Sequence, residues 1–379
     1  MRVLFTGPGA AGHVFPMVPT AQALRAAGHQ VLFAGASPID VLRGTGLPVA
    51  DVGDGSTVLD GFRRAAELEP GWGEPQYVAE GRSHEESIRL AVLGFAEHGR
   101  SAVPGLLRLA EAWRPDLLVH AAFQAAGPVV AAALGIPSVV HNFGVMPTLE
   151  VVDRMAGHLG DLYEAHGLPV GPGRRTVLDV VPAVLGGSGG GLRVRYVPYN
   201  GAGEVPPDLA GRSGRRRIAV TLGTVLTEVD GVRAITGLVR QAARVDADFL
   251  LAVGGADLGA LGELPDNVRP LPWVPLAELL DASDAIVHHG GSGTMLTAAV
   301  AGVPQLLLPQ GADHFTNADA AETLGFALRS TGEGVDAELL ERLLTDEGLQ
   351  KAATTVRAQI AELPTPAELV AELEAVVRR

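Results

Sequence analysis

Two glycine-rich segments of the 379-residue chain hold the residue types that could perform chemistry. The first, Gly7–Gly12, is followed by His13, and the second, Gly290–Thr294, is preceded by His289. Imidazole titrates near neutral pH and can accept a proton. Glycine and hydroxyl residues at the start of a helix expose backbone N–H groups that bind phosphate. Proton transfer and phosphate binding are therefore the chemistries to consider.

The first segment has the G-x-G-x-x-G spacing of a dinucleotide-binding turn. Such a site also needs an acidic residue near the end of the second strand, but residues 33–37 read FAGAS. The pattern therefore disfavours a nicotinamide or flavin, and a tight strand-to-helix turn is the alternative. His13 would lie at the mouth of this turn, where open α/β sheets present ligands, unless it is a capping or packing residue.

The second segment lies between an apolar run, Ala285–Val287, and an apolar helix, Met295–Ala301. Its small residues allow N–H groups to face outward, and the helix N-terminus adds partial positive charge. Ser292 and Thr294 offer hydroxyls in the same turn. The lysine of a G-x-x-x-x-G-K-[ST] loop is missing, so the segment predicts a diphosphate site of another kind.

A polar loop with the sequence PQGADHFTNA follows the next buried run and contains Asp313. We expect it at the same sheet edge as the glycine segment, because parallel strands present their carboxyl ends together. A carboxylate repels phosphate but accepts hydrogen bonds from sugar hydroxyls. Asp246-Ala247-Asp248 matches the D-x-D pattern of metal-dependent sugar transferases, but it precedes its strand and so lies at the opposite edge. We expect a solvated turn there, and no metal.

Short β-branched runs alternate with Ala/Leu-rich stretches on both sides of a polar, Gly/Pro/Arg-rich segment at 201–216. This pattern predicts two Rossmann-like, doubly wound parallel sheets of the α/β class. We place the first domain at 1–205 and the second at 206–379, facing each other across a cleft. The last helix could pack back on the first domain.

The composition limits the classes of partner. A formal charge of −14 disfavours binding to nucleic acid or to anionic membranes. The absence of cysteine excludes thiolate chemistry and fits a reducing compartment. We find no signal-peptide core and no apolar stretch of about 18 residues, so we expect a cytoplasmic protein.

The run from Trp273-Val274-Pro275 through HHGGSGT to LPQGADHFTNA resembles the donor site of nucleotide-sugar glycosyltransferases of the GT-B type. Within them the chain is similar to actinobacterial enzymes that attach deoxysugars to polyketide antibiotics. The segment RYVPYNG at 195–201 and the N-terminal VLFTGPGAAGHVFP strengthen the narrower match.

The resemblance implies a role for each matching residue. Trp273 would stack on the nucleobase, and the Val274 backbone would bind the edge of the base. Asp313 and His314 would face the sugar, and His13 would be the catalytic base. The diphosphate would be bound by the following residues: Thr224, His289, Gly290, Gly291, Ser292, Gly293 and Thr294.

The chain departs from its relatives at two positions. Many relatives have an acidic residue, which orients the histidine, where this chain has Ala121, and many have Gln where it has His314. His13 would then lack that partner, and fewer sugar contacts would suit a deoxysugar. Aromatic residues in the N-terminal half are candidates for the acceptor pocket, with core packing as the alternative: Phe62, Trp72, Tyr77, Phe123 and Phe143.

The resemblance therefore predicts an inverting, metal-independent glycosyltransferase of antibiotic biosynthesis. It would use a TDP-deoxysugar as co-substrate and glycosylate an oxygen or a carbon of a hydrophobic, aromatic polyketide acceptor. The alternatives are a nucleotide-sugar 2-epimerase and a non-catalytic nucleotide-sugar-binding subunit. The sequence is compatible with a homodimer and leaves open whether an auxiliary protein is needed.

Overall fold

The computed structural model describes residues 1–36, 39–69, 84–187, 190–211, 214–223, 232–254, 256–311 and 313–378. Contacts divide the chain into two units, Met1–Arg195 with Leu363–Arg379, and Tyr196–Glu362. Each unit contains one parallel sheet with helices, so the predicted α/β class with two doubly wound sheets is confirmed.

The first unit contains a seven-stranded sheet in the order β3-β2-β1-β4-β5-β6-β7. Its strands are β1 Arg2–Gly7, β2 Gln30–Gly35, β3 Val49–Asp51, β4 Leu117–Ala121, β5 Ser138–His141, β6 Arg175–Asp179 and β7 Leu192–Arg193. Its first eight helices are α1 Ala11–Val14, α2 Val18–Ala26, α3 Asp40–Arg43, α4 Val58–Leu68, α5 His84–Trp113, α6 Ala126–Leu134, α7 Thr148–His158 and α8 Gly160–Ala165.

The second unit contains a six-stranded sheet in the order β10-β9-β8-β11-β12-β13. Its strands are β8 Arg217–Thr221, β9 Asp248–Leu251, β10 Val268–Pro270, β11 Ala285–His288, β12 Gln305–Leu307 and β13 Ala327–Arg329. Its helices are α9 Thr236–Ala242, α10 Leu276–Asp281, α11 Ser292–Ala301, α12 His314–Thr323, α13 Ala337–Thr345 and α14 Glu347–Ala361.

Apart from the exposed Arg2 at the start of β1, the central strands β1, β4, β8 and β11 are buried, because helices cover both faces of each sheet. Val3, Leu4 and Phe5 are completely buried in β1, as are Ala285, Ile286 and Val287 in β11. Continuous apolar runs of this kind are typical of parallel strands. The strand order reverses between β1 and β4 in one sheet and between β8 and β11 in the other. Open α/β sheets bind ligands at the carboxyl ends of the strands at such points.

The division between the units lies after Arg195, ten residues before the boundary that we placed after residue 205. Tyr196 and Asn200 hydrogen-bond to Gly293 and Ala277 of the second unit, so this part of the connection packs with that unit. The last helix, α15 Pro366–Arg378, belongs to the first unit, where Arg174 donates a 2.7 Å hydrogen bond to the carbonyl of Val376.

In the part of the chain that the structure describes, every helix is too short or too polar to cross a lipid bilayer.

Candidate functional site

His13 follows β1 and lies on the four-residue helix α1, at the point where the strand order of the first sheet reverses. Its ring is half-buried and packs edge-to-face on three phenylalanines. The centroid distances are 5.1 Å to Phe95, 5.6 Å to Phe123 and 4.8 Å to Phe143. The imidazole is therefore surrounded on several sides by apolar rings.

These rings form one aromatic cluster, which includes Phe62 at 5.4 Å from Phe95. Three of the predicted acceptor residues belong to this cluster: Phe62, Phe123 and Phe143. Phe123 and Phe143 pack directly on His13, and Phe62 packs on Phe95. Phe95 was not predicted, because a phenylalanine inside the long helix α5 looks like ordinary core packing. Trp72 and Tyr77, also predicted, lie outside the described residues.

A buried polar pair supports the turn that carries Phe143. The side-chain oxygen of Asn142 accepts hydrogen bonds from the N–H groups of Phe143 and Gly144, at 2.8 and 3.3 Å. Its amide nitrogen donates to the carbonyl of Gly144 at 2.7 Å and to Asp179 at 3.0 Å. Asn142 is completely buried, and its side chain supports the backbone turn that places Phe143 against His13.

Two other histidines of this unit, His120 and His141, are core residues. Their Nδ1 atoms lie 3.0 and 2.8 Å from the carbonyls of Ala121 and Asn142, so each ring carries its proton there. Burial lowers the pKa of both to about 4. Ala121 itself is buried at the end of β4, where the resemblance led us to look for an acid.

In the second unit, His288 determines the start of the glycine-rich turn. Its Nδ1 accepts a 3.0 Å hydrogen bond from the N–H of Gly290, so the proton must lie on Nε2, which is 2.9 Å from Oε1 of Gln305. Gln305 in turn donates to the carbonyl of Met295 in α11. Burial lowers the pKa of His288 to about 4, so this histidine is neutral and structural.

The next residue, His289, lies in a slot between two glycines. A Cβ atom built on Gly223 would lie 2.6 Å from its Cε1, and one built on Gly291 would lie 2.4 Å from its Nε2. The His314 ring packs edge-on at 4.7 Å. Burial lowers the pKa of His289 well below its usual value. The neighbouring imidazoles of His314 and His288 lower this pKa further, by a smaller amount.

The N-terminus of α11 already has an acidic neighbour. Oδ2 of Asp313 accepts hydrogen bonds from the hydroxyl of Ser292 at 2.5 Å, from the N–H of Ser292 at 3.3 Å and from Asn317 at 2.8 Å. Asn317 is completely buried and also donates to the carbonyl of Gly290 at 2.8 Å. The predicted phosphate loop and the predicted sugar loop are thus joined by Asp313 and Asn317.

The first-turn N–H groups of Gly293 and Thr294 lie beyond Ser292 and have no carbonyl partner within the helix.

Trp273 is 47% exposed in the turn between β10 and α10, whereas Val274 beside it is buried. An exposed indole of this size presents a face on which a flat base can stack. Thr224 lies outside the described residues.

Both carboxylates of the D-x-D pattern form ion pairs with one arginine. Arg215 lies 3.3 Å from Asp246 and 3.2 Å from Asp248, so both carboxylates are paired with a guanidinium. Among the described residues, there is no group of three or more His, Cys, Asp or Glu side chains that could hold a metal ion.

Comparison with known proteins identifies the family. Residues 22–223 match the N-terminal domain of the erythromycin biosynthesis protein CIII-like family, and residues 236–376 match its C-terminal domain. The elloramycin glycosyltransferase ElmGT of Streptomyces olivaceus is 40% identical, over 98% of this chain and 97% of that protein.

Solved structures agree with this assignment. SnogD, a glycosyltransferase from Streptomyces nogalater, has a TM-score of 0.85 and 39% identity over 100% of this chain and 99% of its own. The spinosyn rhamnosyltransferase SpnG, solved with thymidine diphosphate, has a TM-score of 0.83 and 30% identity over 99% of this chain and 100% of its own. The chain therefore belongs to the erythromycin biosynthesis protein CIII-like family of antibiotic glycosyltransferases.

Proposed function

We propose that the protein transfers a deoxysugar from a TDP-sugar to a hydrophobic, aromatic polyketide acceptor, with inversion at the anomeric carbon and without a metal ion. The glycine-rich turn at the start of α11 is the observation that carries this proposal, because its first N–H groups have no carbonyl partner within the helix and the neutral His289 lies against Gly291. The exposed Trp273, in the separate turn between β10 and α10, offers a face for the base. SpnG binds thymidine diphosphate and, in another complex, the spinosyn aglycone, which supports both classes of substrate.

We assign donor binding to the second unit. Trp273 stacks on thymine, and the backbone of Val274 binds the edge of the base. The diphosphate lies against His289 and the turn Gly290–Thr294. His314 and the second carboxylate oxygen of Asp313, Oδ1, face the sugar, since Oδ2 is already bonded to Ser292.

We assign acceptor binding to the first unit, where the phenylalanine cluster provides apolar surface around His13. His13 removes the proton from the acceptor oxygen, or activates a ring carbon beside a phenol. The acceptor atom forms its bond to the anomeric carbon as the bond from that carbon to the diphosphate oxygen breaks. TDP leaves with the electron pair, and backbone dipoles at the start of α11 stabilise its charge.

The reaction is tested by mass spectrometry of mixtures that contain a panel of TDP-sugars and aromatic polyketide aglycones. We expect a product whose mass exceeds that of the aglycone by one deoxysugar residue, and acid-stable products would indicate a C–C bond. TDP binding without transfer to any acceptor would favour the second candidate, a non-catalytic donor-binding subunit. The buried Ala121, at the position of the acidic partner in relatives, is the observation that favours it.

We expect the enzyme to act in the cytoplasm, in keeping with the absence of cysteine, which fits a reducing compartment.

A further inference from the structure

The connecting segment, residues 196–203, packs against both parts of the proposed donor site. It begins with Tyr196, whose hydroxyl donates a 3.3 Å hydrogen bond to the carbonyl of Gly293 in the first turn of α11. It ends near Gly203, where a Cβ atom would lie 2.9 Å from Cδ1 of Trp273. The segment therefore runs from the diphosphate turn to the base-stacking residue.

The carbonyl of Gly293 accepts a second side-chain hydrogen bond, from the hydroxyl of Thr297 at 2.7 Å. Thr297 and Tyr196 are 1% and 3% exposed, and burial raises the pKa of Tyr196 to about 12, so its hydroxyl keeps its proton. This carbonyl belongs to the same peptide group as the N–H of Thr294. Donors at the oxygen end of a peptide group polarise it and strengthen its N–H as a donor.

Asn200 connects the helix that follows Trp273 to the helix that follows the glycine-rich turn. Its side-chain oxygen accepts a 3.0 Å hydrogen bond from the N–H of Ala277 in the first turn of α10, the helix that follows Trp273. Its amide nitrogen donates to the hydroxyl of Thr297 at 3.4 Å. One side chain thus links the start of α10 to the first turn of α11.

We propose that Tyr196, Asn200 and Thr297 are positioning residues for donor binding. Tyr196 and Thr297 fix and polarise the peptide group between Gly293 and Thr294, whose N–H faces the diphosphate. Asn200 sets the spacing between the turn that carries Trp273 and the glycine-rich turn Gly290–Thr294. This inference rests on the proposed use of a TDP-sugar.

The test compares the affinities of TDP and thymidine, measured by calorimetry on the full chain. We expect Tyr196→Phe and Thr297→Val each to weaken TDP binding roughly 3- to 10-fold, the effect of one lost hydrogen bond, and to leave thymidine binding unchanged. Thr297→Ser keeps the hydroxyl and should bind TDP as the wild type does. Asn200→Ala should weaken both ligands, whereas Asn200→Asp keeps the acceptor for Ala277 and should restore thymidine binding.

The outcomes separate the inference from the proposed function. If the wild-type protein binds TDP but the Tyr196 and Thr297 variants bind it equally well, or lose thymidine to the same extent, the positioning role is wrong. If the wild-type protein binds no TDP, the proposed function fails, and this inference fails with it. Thermal melting of each variant shows that the chain is folded.

Discussion

The hydroxyl of Ser292 lies 2.5 Å from Oδ2 of Asp313, so a residue expected to bind diphosphate is bonded to a residue expected to bind sugar. The carboxylate also accepts the N–H of Ser292, and it therefore places negative charge at the N-terminus of α11. Negative charge stabilises a helix N-terminus but repels a diphosphate. In the proposed donor complex, Asp313 would therefore have opposite effects on the two halves of the donor.

Asp313→Asn separates these effects. The amide keeps the shape of the side chain but removes its charge, so we expect TDP to bind as tightly as to the wild type, or up to about tenfold more tightly. Transfer from a TDP-sugar should fall by roughly 10- to 100-fold in kcat/KM, because the proposed charge-assisted hydrogen bond to the sugar would be lost. Asp319→Asn is the matched control on α12, since Asp319 is exposed and pairs with Arg329. Weaker binding of TDP to Asp313→Asn would contradict the account.

The glycine slot around His289 can be tested by adding one methyl group. Gly291→Ala places a Cβ atom 2.4 Å from Nε2 of His289, so the imidazole must move. We expect TDP affinity to fall at least tenfold in titration calorimetry, since the ring is held beside the turn that we propose binds the diphosphate. Gly211→Ala is the control, because a Cβ atom there meets nothing within 4 Å. Equal affinities of the two variants would show that His289 does not contribute to binding.

On the acceptor side, Asn142→Ala removes the side chain that supports the turn at Phe143. We expect the KM for the acceptor to rise about tenfold and the KM for the TDP-sugar to stay constant, because the lost hydrogen bonds lie in the first unit. Phe143→Leu should also raise the KM for the acceptor, but without loosening the turn that Asn142 supports. Initial rates with each substrate varied in turn provide the measurement. A rise in both KM values would argue against a role restricted to the acceptor.

Stability should depend on pH because several buried histidines are neutral. His120, His141 and His288 have pKa values of about 4 in the folded chain, below the usual 6.5. Between about pH 6.5 and 4 the unfolded chain binds more protons than the folded chain, so the free energy of unfolding falls as the pH falls. The loss approaches about 1.4 kcal/mol per pH unit for each histidine. Urea unfolding at pH 7, 6 and 5 measures this slope, and a stability that rises towards pH 5 would contradict it.

Much of the fold is predictable from local sequence. Continuous apolar strands and glycine-rich turns are local patterns, and they indicated two parallel sheets and both loops. The supporting residues were not predictable, because their roles depend on contacts between distant segments. Asn317 looks like any polar residue on a helix, and Phe95 like any core residue, until packing places them beside Gly290 and His13.

The link between Ser292 and Asp313 was missed for a similar reason. Each residue belongs to its own loop, and their separation of 21 positions in the sequence hides the hydrogen bond. Local sequence therefore indicated the chemistry of each loop but not the bonds between loops.

The most direct test of the account measures transfer and TDP binding in His13→Ala. General-base catalysis typically contributes 10²- to 10⁴-fold, so we expect kcat to fall by about that factor while the Kd for TDP stays at its wild-type value. His166→Ala, at an exposed position of the same unit, is the control and should retain full activity. Full transfer activity in His13→Ala, with TDP still bound, would contradict the assignment of His13 as the base.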